Sequence, residues 1–175
     1  PIGELVKVQT GAVTEQVNRA FFPYVQVGDE NRPIDRLNQT DRLNPARDGS
    51  VVTADLNLAH MQWSVTYQRS DLSRYVENVR PGEGGSEDGR LVRRVVGRAT
   101  VRATARPSID DLLKRTRTDL GSVESVAMRL AQEMLDEFET GLRIDQLTMS
   151  KKFPPVTLAD EFAKVANQTQ QAGQA

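Results

Sequence analysis

Five arginines, Arg90, Arg94, Arg98, Arg102 and Arg106, recur at every fourth residue. On one helix that spacing makes a stripe drifting slowly around the axis, beside a second, apolar stripe of Leu91, Val95, Ala99 and Ala103. Guanidinium groups in a row can pair with carboxylates, phosphates or other anions. Three readings follow: a solvated or salt-bridged helix face, a subunit or partner contact, and a site for lipid headgroups or nucleic acid. The first is favoured. Nucleic acid is not expected as a partner, because no aromatic residue that could stack on bases lies between Tyr75 and Phe138.

The arginines belong to a wider segregation of charge. Residues 90–117 hold nine basic and two acidic side chains, net +7, while residues 119–145 hold seven acidic and two basic ones, net −5. The whole chain, with 23 basic and 24 acidic residues, is nearly neutral. Neighbouring blocks of opposite sign favour attraction within the chain or between subunits over capture of a polyanion. Arg90, Arg94, Arg98 and Arg102 on the basic block, with Glu133 and Glu137 on the acidic one, are therefore the candidate contact residues.

Other chemistry finds less support. His60 is the sole histidine, placed at a polar position of a strand with no second ligand at metal-like spacing, so it reads as a surface residue. No Gly-x-Ser-x-Gly nucleophile elbow is present to build a triad around it. The loop from Pro81 to Gly89 is glycine-rich and precedes arginines, yet it lacks the Lys-Ser/Thr pair of a phosphate loop, and Glu83, Glu87 and Asp88 would repel an anion. A chain with no cysteine has no disulfide framework, thiolate metal site or cysteine nucleophile. No catalytic residue, metal or cofactor is expected.

The elements that must carry these residues are legible mostly after residue 48. With 175 residues, 38% hydrophobic and 27% charged, the chain reads as one globular domain with an appendage. It contains no apolar run long enough to span a bilayer and so reads as soluble. It opens at Pro1 without a methionine and fades into a glutamine-rich tail, and so reads as an excised piece. Residues 1–50 carry scattered turn residues and short strand-like pieces such as Glu4 to Gln9.

From Ala59 the pattern alternates. Ala59, Met61, Trp63, Val65 and Tyr67 form the apolar side of a half-buried strand, with Trp63 in the core rather than exposed for recognition. Leu72, Tyr75, Val76 and Val79 predict a short helix capped by Ser70 or Asp71, and the Leu91 stripe predicts a longer one after the glycine-rich loop, closed by Pro107. Ser108 opens a third helix, through Ile109, Leu112 and Leu113. Ser122 opens a fourth, presenting Val123, Val126, Ala127, Leu130, Met134 and Phe138, with Gly141 placed to end it. Leu142 to Met149 predicts a strand whose parity slips at Gln146, as a bulge would cause. After Phe153-Pro154-Pro155, Val156, Ala159, Phe162, Ala163 and Ala166 mark a last helix, which either packs back on the domain or begins a partner-facing coiled coil through Val156 and Phe162. The fold class predicted is α+β, a twisted and mostly antiparallel sheet covered by helices.

The order of these segments resembles the SPFH family, also called the stomatin, prohibitin, flotillin or band-7 family. Asp48 to Asn57 leads into the Trp63-Ser64-Val65-Thr66-Tyr67 strand and then into Tyr75-Val76-Glu77-Asn78-Val79. Leu91 to Arg98, Ile109 to Leu113 and Gly141 to Asp145 are similar to the family's later helices and final strand, and Pro154-Pro155 to its entry into a coiled coil. The segment Leu56 to His60 and the tryptophan strand look nearest to HflK-type members. The resemblance implies an SPFH-like domain over residues 1–155, followed by the start of a C-terminal helix over residues 156–175. It further implies a non-enzymatic scaffold, anchored by a membrane segment outside this chain, with the domain on the periplasmic face. The implied partners are copies of itself or an HflC-like paralogue in a ring, and an AAA-type membrane protease.

Overall fold

The computed structural model describes residues 8, 10–17, 20–22, 49–79, 87–114 and 121–154. The segments Glu4 to Gln9, taken as a whole, and 156–175, with Val156 and Phe162, lie outside the described residues. Strand β3, Leu58–Arg69, is the centre of an open antiparallel sheet. Strand β1, Val13–Val17, pairs with it from Val17↔Trp63 to Val13↔Tyr67, and β4, Leu142–Phe153, pairs with the same stretch from the opposite edge. The short β2, Val51–Val52, pairs with the first residues of β3. The chain is an α+β domain of the predicted kind.

Alternation in β3 produces the core. Met61, Trp63, Val65 and Tyr67 are almost wholly buried on one face, while Gln62, Ser64, Thr66 and Gln68 are half-buried on the other. Helices α1, Leu72–Asn78, and α2, Glu87–Thr104, follow β3, and after them come α3, Ile109–Lys114, and α4, Val123–Glu137. Helix α4 packs on β4 and on α2, and α2 packs on β1 and β2. Val92, Val95, Val96, Ala99 and Ala103 of α2 and Ala127, Ala131, Met134 and Leu135 of α4 close the core over the sheet. Burial of this apolar area is the main force holding the layers together.

Caps and bulges sit where local chemistry asks for them. Asp71 accepts the N–H of Arg74 at the start of α1, Ser108 that of Asp111 in α3, and Ser122 that of Ser125 in α4. The parity slip in β4 is a bulge at Asp145, where Thr66 and Tyr67 face Gln146 and Ile144, so Asp145 and Gln146 are both exposed between the buried Ile144 and Leu147. A second bulge at Ser150 extends the strand beyond Met149 to Phe153.

Several expectations are corrected. His60 is not a surface residue: it is fully buried, and its Nδ1 lies 2.8 Å from the carbonyl oxygen of Gly49, because the segment at Gly49 covers the second face of this end of β3. Phe138 is 53% exposed, since it caps the C-terminus of α4 and no longer follows the helical period. Leu72, at the first position of α1, is also exposed, leaving Tyr75 as that helix's buried residue. Helix α2 begins at Glu87, so Gly89 is helical rather than the end of a loop, and residues 81–86 lie outside the described residues.

Gly141 is left-handed, but it does not end α4. Glu139 turns first, with φ 48°, and Gly141, with φ 68°, leads the chain into β4. Its carbonyl accepts the N–H groups of Ser70 and Asp71, and an added Cβ would strike the Asp71 backbone and stand 2.8 Å from the Tyr75 nitrogen. Only glycine fits this corner.

Candidate interaction surface

Helix α2 carries Arg90, Arg94, Arg98 and Arg102, all exposed, on the side opposite its buried valines and alanines. Arg106 is exposed too, but lies beyond the helix end at Thr104. At a rise of about 1.5 Å per residue the four helical arginines span roughly 18 Å. Val101, 51% exposed, flanks the row with an apolar side chain.

The helix is held at both ends. At its start Asp88 pairs with Arg69 at 2.5 Å, both side chains nearly buried, and Arg93 pairs with Glu15 of β1 at 2.5 Å. The Arg69 guanidinium lies 5.2 Å from the centroid of the Tyr75 ring. Burial opposes the charge on Arg69, but bonding to Tyr75 and the nearby Asp88 carboxylate outweigh it and raise the arginine's pKa. Burial, reinforced by Asp88, also pushes the Tyr67 phenol above its ordinary pKa, so it stays neutral.

Past the other end of α2, the carbonyl of Pro107 accepts the N–H of Ala54 at 3.0 Å. The carboxylate of Asp55 in the same turn accepts Thr53 Oγ1 at 2.5 Å, Asn57 Nδ2 at 2.9 Å and the N–H of Ile109, the first residue of α3, at 3.2 Å. The Thr53 hydroxyl is the main cause of the depressed Asp55 pKa, with Asn57 and the Ile109 amide adding to it. These bonds hold Leu56 in the left-handed region, φ 61°, with its side chain 84% exposed.

Glu133 and Glu137 stand exposed on α4. Glu133 pairs with Arg129 one turn earlier, at 2.7 Å. Gln132 ties α4 to β4, donating to the Leu142 carbonyl at 3.2 Å and accepting the Ile144 N–H at 2.8 Å, while Asp136 accepts its amide at 2.7 Å.

The structure thus brings the basic and acidic candidates onto neighbouring helices, yet among the described residues no ion pair joins them. Arg90 pairs with Glu87 of its own helix, and Arg94, Arg98 and Arg102 pair with no described carboxylate. Of the two expected arrangements, attraction within the chain or between subunits, the described residues show no pairing within the chain, and residues 115–120, where the two blocks meet, lie outside them. A helical layer whose Arg94, Arg98 and Arg102 pair with no described carboxylate can recognise another charged surface, and its solvated arginines cost little to keep.

A cleft of about 300 Å³ near Gly141 is lined by Asp71, Arg74, Gln132, Asp136, Glu139 and Arg143. Most of its charged groups already engage one another or their own elements, as in Arg74–Asp71 at 3.5 Å, Arg143–Asp145 at 3.4 Å and Asp136 with Gln132.

The Arg69–Asp88 pair and the exposed Val101 were not singled out from the sequence, whereas the Asp55 turn lies in the Asp48 to Asn57 segment that carries the family resemblance. Only the first had a usable signal, an aspartate in the first helical turn after an arginine that ends a strand.

No helix among the described residues is long and apolar enough to cross a membrane. Comparison with curated proteins finds no match. The model of the SPFH domain / Band 7 family matches residues 4–175, nearly the whole sequence. With its α+β fold and helical layer, the chain belongs to the SPFH, or Band 7, family, whose members are membrane-associated and generally act as non-enzymatic scaffolds.

Proposed function

We propose that this chain is a non-enzymatic scaffold subunit of HflK type, assembling with copies of itself or an HflC-like paralogue into a ring or cage at the membrane. The assembly restrains an AAA-type membrane protease or organises a patch of membrane. In this reading a segment outside the chain supplies the anchor, the domain sits on the periplasmic face, and a coiled coil follows the domain. The family match over residues 4–175 carries the proposal. The arginines of α2, exposed on a helix fixed at both ends, support it as a preformed contact surface.

The full-length protein, purified from its own membranes after mild crosslinking, tests the reading. A high-mass assembly containing the protease, together with faster turnover of protease substrates when this subunit is depleted, is expected. A monomeric full-length protein, or turnover unchanged by depletion, overturns it.

The exposed arginines favour one other reading, a module for anionic lipid headgroups. It requires the row itself to hold phosphate at physiological salt, where contacts to polyanions weaken steeply.

A further inference from the structure

Helices α2 and α4 form one layer with opposite charges on its solvent side. Helix α2 holds five arginines against two acids, net +3, and α4 holds four acids against one arginine, net −3. Asp88, in the first turn of α2, binds Arg69 at the end of β3, and Gly141, just after α4, binds Ser70 and Asp71 at the same end. The start of α2 therefore lies beside the end of α4, and the two helices run antiparallel.

We infer that this layer is a self-complementary docking surface for a second copy of the chain, the arginine row of α2 in each copy facing the Glu133–Glu137 face of α4 in the other. The inference rests on the assembly proposed above and names one pairwise contact within it.

Three observations select this occupant. The net charges match in sign and number, no described ion pair joins the two helices, and Arg94, Arg98, Arg102 and Glu137 have no ion pair among the described residues, while Glu133 holds only the exposed Arg129 of its own helix. Arg94 to Arg98 and Glu133 to Glu137 are both one four-residue step, about 6 Å along their axes, so the two charged steps match in length. Val101 places an exposed apolar side chain beside the arginine row, which suits a protein surface better than a polyanion. A two-fold axis that sets α2 over the partner's α4 also sets α4 over the partner's α2, so every contact occurs twice.

The test is charge exchange in the 175-residue chain, followed by sedimentation at about 200 μM protein and about 20 mM salt, where screening is weak. Arg94→Glu with Arg98→Glu makes both helices acidic, and Glu133→Lys with Glu137→Lys makes both basic. Asp136 is left intact because it engages the Gln132 amide that is bonded to β4. Wild type is expected to dimerise weakly, and each double variant to lose at least about tenfold in affinity, or about 1.4 kcal/mol. An equimolar mixture of the two variants should restore association, because each then meets its opposite. Circular dichroism and urea unfolding confirm that all forms are folded.

Double variants that associate like wild type, a mixture that stays monomeric, or a wild type monomeric under these conditions each overturn the proposal. If the full-length variants still build the membrane assembly, this contact falls while the scaffold reading stands. If the full-length wild type builds none although the chain dimerises by charge, the scaffold reading falls alone.

Discussion

Asp88, in the first turn of α2, holds Arg69, the last residue of β3, at 2.5 Å with 1% and 7% of the two side chains exposed. Its second oxygen accepts the N–H of Gly89 at 3.0 Å, where the helix N-terminus favours a negative charge. A buried ion pair adds little net stability over an apolar substitute, but removing one partner strands the other. This pair fixes where α2, and so the arginine row, sits on the sheet.

Asp88→Ala should therefore destabilise the chain by about 3–5 kcal/mol in urea unfolding. A loss under about 1 kcal/mol would show that Arg69 finds adequate solvation elsewhere.

Trp63 is fully buried at the middle of β3, facing Val17 on one neighbour and Met149 on the other. Trp63→Ala should cost about 3–5 kcal/mol, since a cavity of indole size cannot collapse beneath a three-strand contact. Near-neutral unfolding of this variant would contradict the core role.

Asp55 gives a pH dependence with a definite sign. Its carboxylate accepts Thr53, Asn57 and the Ile109 amide, so its folded pKa lies below the ordinary 3.8. Stability from this group is present above the unfolded pKa and is lost as pH falls through the folded one. In Asp55→Asn, unfolding free energy should fall less steeply than in wild type as the pH drops below about 4. Parallel profiles for the two proteins would remove Asp55 from the acid response.

Much of the domain was legible because its signals are local. The alternation from Ala59 to Tyr67, the caps at Ser108 and Ser122 and the parity slip near Gln146 each follow from a few neighbouring residues, and each corresponds to an observed element. What escaped depends on distant partners. His60 occupies a polar position in the alternation, and only the fold brings Gly49 over it. Strand β1, with Thr14, Glu15 and Gln16 between its valines, is held by pairing with β3, not by its own pattern. The charge blocks were visible as blocks, but whether they meet depends on how α2 and α4 turn toward solvent, which composition does not encode.

That orientation decides the last prediction, which separates the arginine row as a protein contact from the row as a polyanion site. Arg94, Arg98 and Arg102 are exposed and pair with no described carboxylate, so both uses are sterically open. A phosphate surface contacted by three or four arginines loses affinity steeply as counterions compete, and Val101 beside the row gives a polar headgroup nothing to bind. The 175-residue chain should thus show no appreciable affinity for vesicles of anionic phospholipid, or for duplex DNA, at about 150 mM salt. Arg94→Glu with Arg98→Glu should leave its unfolding free energy within about 1 kcal/mol of wild type, since exposed charges contribute little to the fold. The same pair in the full-length protein should weaken assembly, where many copies of a modest contact act together. Micromolar binding to either vesicles or DNA, abolished by these substitutions while full-length assembly stays normal, would assign the row to anions and take it away from the neighbouring subunit.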